Sequence, residues 1–205
     1  MILIFDYGVG NLASIANMLK KVGVKSKISN DEKDLVEADK IILPGVGSFE
    51  YGIKKLRSLS SFPRLEHEVI VNKKPLLGIC LGAQLLFEES EEGGIEGLSW
   101  IKGNVVRFEE SKLVNNEKVP HMGWNYVTAL KDSKLLNGLG DKARFYFVHS
   151  YHFKVFNLND SLLLTEYGYE FVAAVEKDNI MGVQFHPEKS HKFGLKLLHN
   201  FVKNY

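Results

Sequence analysis

Three short apolar runs in the first eighty residues constrain the fold more than anything else in the chain. "ILIF" at 2–5, "IILPG" at 41–45 and "PLLGIC" at 75–80 are unbroken rather than alternating, which is the pattern of strands covered on both faces. Between the first two lies a different period. Leu12, Ile15, Leu19 and Val22 fall on one helical face, with Asn11 placed to cap the start and Gly23 to end it. Strand, helix and strand in that rhythm predict a parallel sheet with right-handed crossovers. After Gly93-Gly94 the texture changes: "NVVRF", "WNYVTA", "RFYFVHSYHF", "SLLLTEY", "FVAAVE" and "IMGVQF" are strand-like and joined by short polar turns. Phe193, Leu197, Leu198, Phe201 and Val202 predict a closing amphipathic helix. The expected class is α/β, a mostly parallel central sheet flanked by helices with a β-rich second half. All 205 residues are read as one domain, long enough to bury a sizeable core.

Composition narrows the function classes. A formal net charge of +1 with no dense basic block gives no footprint for nucleic acid. No apolar run approaches the ~18 residues needed to span a membrane. The opening "MILIFDYGVG" reads as a first buried strand rather than a leader. A single cysteine permits no internal disulfide, which suits a reducing, cytoplasmic setting. No cofactor is expected and no metal, because one thiol and scattered histidines give no compact ligand spacing.

That lone cysteine sits in Gly78-Ile79-Cys80-Leu81-Gly82, at the end of a predicted strand and the start of "AQLLFEE", read as a helix. Chemistry in open α/β sheets collects beyond the carboxyl ends of the strands. A strand, a tight turn bearing the nucleophile and a helix make the nucleophile elbow, where a Cβ at Gly78 or Gly82 would clash. A helix N-terminus there favours the thiolate. The bland alternative is a small buried hydrophobe, the usual fate of a free cysteine. The acidic run Glu88-Glu89-Ser90-Glu91-Glu92 reads as a solvated helix end.

A thiolate nucleophile needs a proton donor for its leaving group. Of seven histidines, His67, His121, His152, His191 and His199 lack a carboxylate at useful spacing, and His149 ends a strand in "YFVHSY". His186 is followed by Pro187 and Glu188. In extended chain positions i and i+2 share a face, so Glu188 could orient the ring and support its cation. Taken alone, His-Pro-Glu is more simply an exposed turn.

Together, "GICLGAQLLF" and "GVQFHPEKS" resemble the class I, triad-type glutamine amidotransferases, a flavodoxin-like fold. Within that class the chain is similar over its length to the glutaminase subunits of imidazole glycerol phosphate synthases, through "DYGVGNLAS", "ILPGVGSF", "EGLSWIKGNVVRF", "PHMGWN" and "YFVHSY". The resemblance implies a Cys80, His186, Glu188 triad acting on glutamine, with Leu81 and the Val46-Gly47 turn of "PGVG" supplying the oxyanion hole. It implies that this turn rearranges when the partner is engaged. It assigns glutamine contacts to Gln84 and to His149, Ser150 and Tyr151. It further implies a separate (βα)8-barrel cyclase subunit forming a heterodimer, docked through Asn11, His121, Met122, Trp124, Tyr146 and Lys189. Ammonia would pass to that partner for histidine biosynthesis. "HKFG" at 191–194 also resembles a paralogous branch that supplies ammonia for surface-sugar modification.

Two readings of other classes compete. "GVGNLA" at 8–13 fits G-x-G-x-x-A after a strand, with Asp31 near the spacing of a ribose-binding acid; a dinucleotide domain would leave Cys80, His186 and Glu188 unexplained. A cysteine peptidase or other thiol hydrolase shares the elbow, but "PGVGSF", Gln84 and "HSY" suit a small amino acid better than a peptide groove.

Overall fold

The computed structural model describes residues 1–114 and 117–205. The first part of the chain alternates as expected: β1 (Ile2–Phe5), α1 (Leu12–Lys21), β2 (Ser26–Ser29), α2 (Glu32–Glu37), β3 (Lys40–Gly45), α3 (Phe49–Ser58), α4 (Phe62–Glu66), β4 (Leu76–Cys80) and the single turn α5 (Leu81–Gln84). The second part is strand-rich: β5 (Glu89–Ser90), β6 (Ile95–Glu96), β7 (Gly103–Arg107), β8 (His121–Tyr126), β9 (Thr128–Ala129), β10 (Arg144–His149), β11 (Tyr151–Val155), β12 (Ser161–Tyr167), β13 (Tyr169–Lys177) and β14 (Ile180–Val183). The helix α6 (His191–Asn204) follows. Among the described residues no helix is long and apolar enough to cross a membrane.

Twelve of the described strands form one sheet with the backbone order β2-β1-β3-β4-β14-β13-β11-β7-β5-β6. The block β2-β1-β3-β4-β14 is parallel throughout, and β14-β13-β11-β7 is antiparallel. The unbroken apolar runs have the predicted consequence. Ile2 and Ile4 pack on one face with Ile15 and Leu19 of α1 and Leu197 and Phe201 of α6. Leu3 and Phe5 pack on the other with Leu35, Ile53, Leu56 and Leu65 of α2, α3 and α4. A strand covered on both faces has no polar side to show.

Two features matter most for the site. β14, from the far end of the chain, inserts beside β4 with Val183 opposite Ile79, while β3 flanks β4 on its other side with Gly45 opposite Cys80. The carboxyl ends of β3, β4 and β14 therefore emerge together. The run "RFYFVHSYHF" is not one strand: it breaks at Ser150, β10 pairing with β8 in a separate two-stranded sheet while β11 joins the main one.

Three local expectations are corrected. Asn11 occupies the N-cap of α1, but its side chain makes no capping bond. The helix after Cys80 stops at Gln84, because the carbonyls of Leu85, Leu86, Phe87 and Glu88 accept from the N–H groups of residues 97–101 instead of continuing a helix. The acidic run is consequently no solvated helix end. Glu88 accepts from Lys102 Nζ at 2.6 Å and Gly103 N at 3.1 Å, Glu91 from Arg107 N at 2.8 Å, and Glu92 from Phe49 N at 2.7 Å. These carboxylates tie the loop to its neighbours through backbone donors.

Candidate active site

Cys80 terminates β4 with φ 53° and ψ −112°, a conformation that non-glycine residues adopt only under constraint. The flanking glycines explain how the chain tolerates it. A Cβ on Gly78 would lie 2.7 Å from Ala83 Cα, and one on Gly82 would lie 1.9 Å from Leu43 O. Both glycines are required for close approach of the turn to its own helix and to β3. Cys80 is 7% exposed, and its sulfur faces a cavity of about 560 Å³, a size suited to a small ligand.

That cavity gathers most of the residues singled out in the sequence: Val46, Gly47, Leu81, Gln84, His149, Ser150, Tyr151, His186 and Lys189 line it with Cys80. Val46 and Gly47 follow directly from the end of β3, Gly47 with φ 101°. His186 lies just past β14, and its backbone N–H donates to Tyr146 O at 2.9 Å. Ser190 fastens the following turn, donating to His186 O at 2.6 Å and accepting from Tyr146 N at 3.0 Å.

His186 and Glu188 meet, though not through an extended chain. Residues 187–189 form a 3-10 turn, and it brings Glu188 Oε1 to 2.7 Å from His186 Nδ1 with both side chains only 2% exposed. Nε2 is buried and completes no hydrogen bond among the described residues. Burial alone disfavours the imidazolium, but the pull of Cys80 and of Glu188 outweighs it and pushes His186 up to about 10. Both neighbours thus favour the cationic ring, the form able to give up a proton.

The opposite wall is neutral, and its protons can be assigned. Tyr151 O can only accept, so His149 Nδ1, 2.7 Å away, carries the hydrogen. His149 Nε2 is then bare and must accept from His121 Nδ1 at 3.0 Å. Burial lowers His121 to about 4; burial, joined by repulsion from His121, holds His149 well below its ordinary value.

His121 does not stand where a docking residue should. It is 1% exposed, because strand alternation in β8 turns it inward while Met122 and Trp124 face out. Tyr126, unanticipated from the sequence, joins them on the exposed face. Trp124 lies in a cationic and aromatic cluster: the Arg144 guanidinium 5.6 Å over its ring, His191 stacked at 5.5 Å and Tyr146 edge-on at 6.1 Å. Lys189 sits 5.7 Å over Tyr146, and Asn11 is exposed at the start of α1.

Several residues in the cavity wall or buried near Cys80 escaped the sequence reading. Glu92 and Arg107 line it with opposite charges, the arrangement that a zwitterionic amino acid would meet. Tyr7 has its hydroxyl buried beside Gly45 without a hydrogen-bond partner among the described residues, and burial and the neighbouring Cys80 push it far up. Gln184 is fully buried next to the sulfur. Only its place two residues before His186 marked it. The competing nucleotide features are otherwise employed: Asp31 caps α2 by accepting from Lys33 N at 2.7 Å, and a Cβ on Gly10 would meet Pro44 Cβ at 3.2 Å. Among the described residues no three His, Cys, Asp or Glu side chains cluster closely enough to hold a metal ion.

Comparison with known proteins adds independent findings. The profile of the family described as Glutamine amidotransferase class-I matches residues 3–205. The chain is 49% identical to Imidazole glycerol phosphate synthase subunit HisH 2 of Pseudomonas aeruginosa, over 99% of each chain. It is 52% identical to the subunit of the same name from Methanococcus maripaludis, again over 99% of both. A glutamine amidotransferase of solved structure from Thermotoga maritima superposes with a TM-score of 0.70 at 18% identity, covering 99% of this chain and 96% of that one; at that identity the likeness speaks for the fold alone.

Proposed function

The chain belongs to the class I glutamine amidotransferases, and from that premise we propose that it is the glutaminase subunit of an imidazole glycerol phosphate synthase. One observation carries the mechanism: β14 lies against β4, so Cys80 and His186, the latter backed by Glu188, open into one cavity. Cys80 thiolate attacks the side-chain carboxamide of glutamine. His186 protonates the departing ammonia, leaving a γ-glutamyl thioester, and then takes a proton from the water that releases glutamate. Glu188 keeps the ring oriented and charged.

The tetrahedral oxyanion needs fixed donors, each worth about 3 kcal/mol of barrier. Leu81 N–H and the Val46–Gly47 turn are assigned that role, the turn completing it when the partner docks. Gln84, His149, Ser150 and Tyr151 form the wall for the amino-acid end of glutamine, and Glu92 and Arg107 complement its ammonium and carboxylate.

Ammonia released into water becomes ammonium and loses its nucleophilicity, so it must pass directly to an acceptor site. The partner is a (βα)8-barrel cyclase, docked over Met122, Trp124 and Tyr146 with Asn11 and Lys189 at the margin. His121 supports that face from within rather than touching the partner. We place the whole chain, as one amidotransferase unit, in the cytoplasm, where its lone Cys80 stays reduced. The test is glutamate release with and without the cognate cyclase. We expect partner-stimulated turnover that disappears in Cys80→Ala; stimulation persisting in that variant would refute the assignment. His191, stacked on Trp124 in the docking face, favours asking in the same assay whether a barrel from a sugar-modifying pathway stimulates instead.

A further inference from the structure

The glutaminase chemistry leaves the buried amide of Gln184 without a role. Gln184 is 0% exposed, and its backbone N–H donates to Ala173 O at 2.9 Å. Its amide lies between Gln84 and Cys80. Gln84 Nε2 is 3.1 Å from Tyr151 O and 3.1 Å from Gln184 Oε1, and Gln184 Nε2 stands 3.8 Å from Cys80 Sγ.

The direction of this chain of amides is forced from one end. A backbone carbonyl only accepts, and Tyr151 O accepts from His149 Nδ1 at 2.7 Å as well as from Gln84. Its two lone pairs are filled, so the nitrogen end of Gln84 is anchored there. The second hydrogen on that nitrogen meets Gln184, whose facing atom must be the oxygen. The atom of Gln184 left toward the sulfur is then the nitrogen. Turning the Gln184 amide around would set two NH2 groups against each other and an acceptor against the sulfur, and misdirected polar groups are costly in a buried site.

We infer that Gln184 is a positioning residue for the nucleophile: it offers an N–H to Cys80 Sγ, favouring thiolate over thiol and fixing the sulfur's direction, through a relay anchored on Tyr151 O. A donor at sulfur stabilises the anion far more than the neutral thiol, which is only a weak acceptor. The relay also joins the wall proposed to hold glutamine to the atom proposed to attack it. What the thiolate is used for rests on the glutaminase reading; the contact at sulfur does not.

Cys80 is the chain's one cysteine, so alkylation of the full-length protein by iodoacetamide reports its thiolate without background. Gln184→Glu keeps the shape and still accepts from Gln84, but turns an acceptor and a negative charge toward the sulfur. The pH midpoint of alkylation is expected to rise by about one unit or more, making labelling about tenfold slower at any pH below the wild-type midpoint. In the partner-stimulated assay kcat is expected to fall with little change in KM for glutamine. Gln184→Met fills the space without a donor; it is expected to move the midpoint the same way by less, and it provides the test if the buried carboxylate is not tolerated. An unchanged midpoint in folded Gln184→Met overturns the inference. Failure of the wild type to release glutamate with its partner overturns the functional reading instead, and the midpoint still decides on Gln184.

Discussion

Glu188 reaches His186 by folding into a 3-10 turn, and the resulting ion pair sets how the protein responds to alkali. A histidine whose folded value is about 10 against an ordinary value of about 6.5 contributes its full stabilisation below the lower figure. That contribution declines as pH rises through the upper one. Glu188→Gln removes one of the two groups that raise the ring. The gap in melting temperature between wild type and variant is therefore expected to be widest near pH 6 to 7 and to close as pH approaches about 10; a gap constant over that range would refute it. At this scale the sequence was legible where a role depends on adjacent residues. Gly78, Cys80, Gly82, His186 and Glu188 carry their meaning in their spacing. Gln184, Glu92 and Tyr7 do not, since each acquires its neighbours only through contacts across the fold.

At the scale of elements, the alternation of β8 separates His121 from Met122 and Trp124, a distinction the motif "HMGWN" does not carry by itself. The strand places the ring beneath that surface, bonded to His149 of β10. A neutral His121 with a folded value of about 4 has the opposite linkage from His186. The unfolded chain takes up the proton below about 6.5 while the folded one refuses it. Stability thus falls as pH drops from about 6.5 to about 4. His121→Asn retains an N–H for His149 Nε2 and does not titrate, so its melting temperature is expected to fall less steeply across that interval in thermal denaturation. Equal slopes would show that His121 is not a source of acid sensitivity. Within the parallel block β1, β3 and β4 were legible from their unbroken apolar runs, whereas β2, "SKIS", carries no such run. The early end of α5 was not legible either, because the groups that capture its carbonyls come from residues 97–101.

For the whole molecule, the exposed face of β8 and β10 is the prediction with the longest reach. Trp124 is 39% exposed, Tyr126 and Met122 61% each, and buried aromatic anchors dominate interface energetics. Trp124→Ala is expected to leave the melting temperature nearly unchanged while weakening cyclase binding at least about tenfold, in line with a loss of about 2 kcal/mol at a central anchor. Isothermal titration checks it, and unaltered affinity would move the docking face elsewhere. The strand order could not be read from the sequence, because the neighbour of β4 is encoded about a hundred positions away, in β14.

That placement of β14 has a consequence for how the protein is made. On the ribosome, the thiol emerges long before the segment that carries His186, and the slot beside β4 cannot fill until β14 has been synthesised. A product that stops short of β14 therefore carries the thiol without the imidazole proposed to serve it.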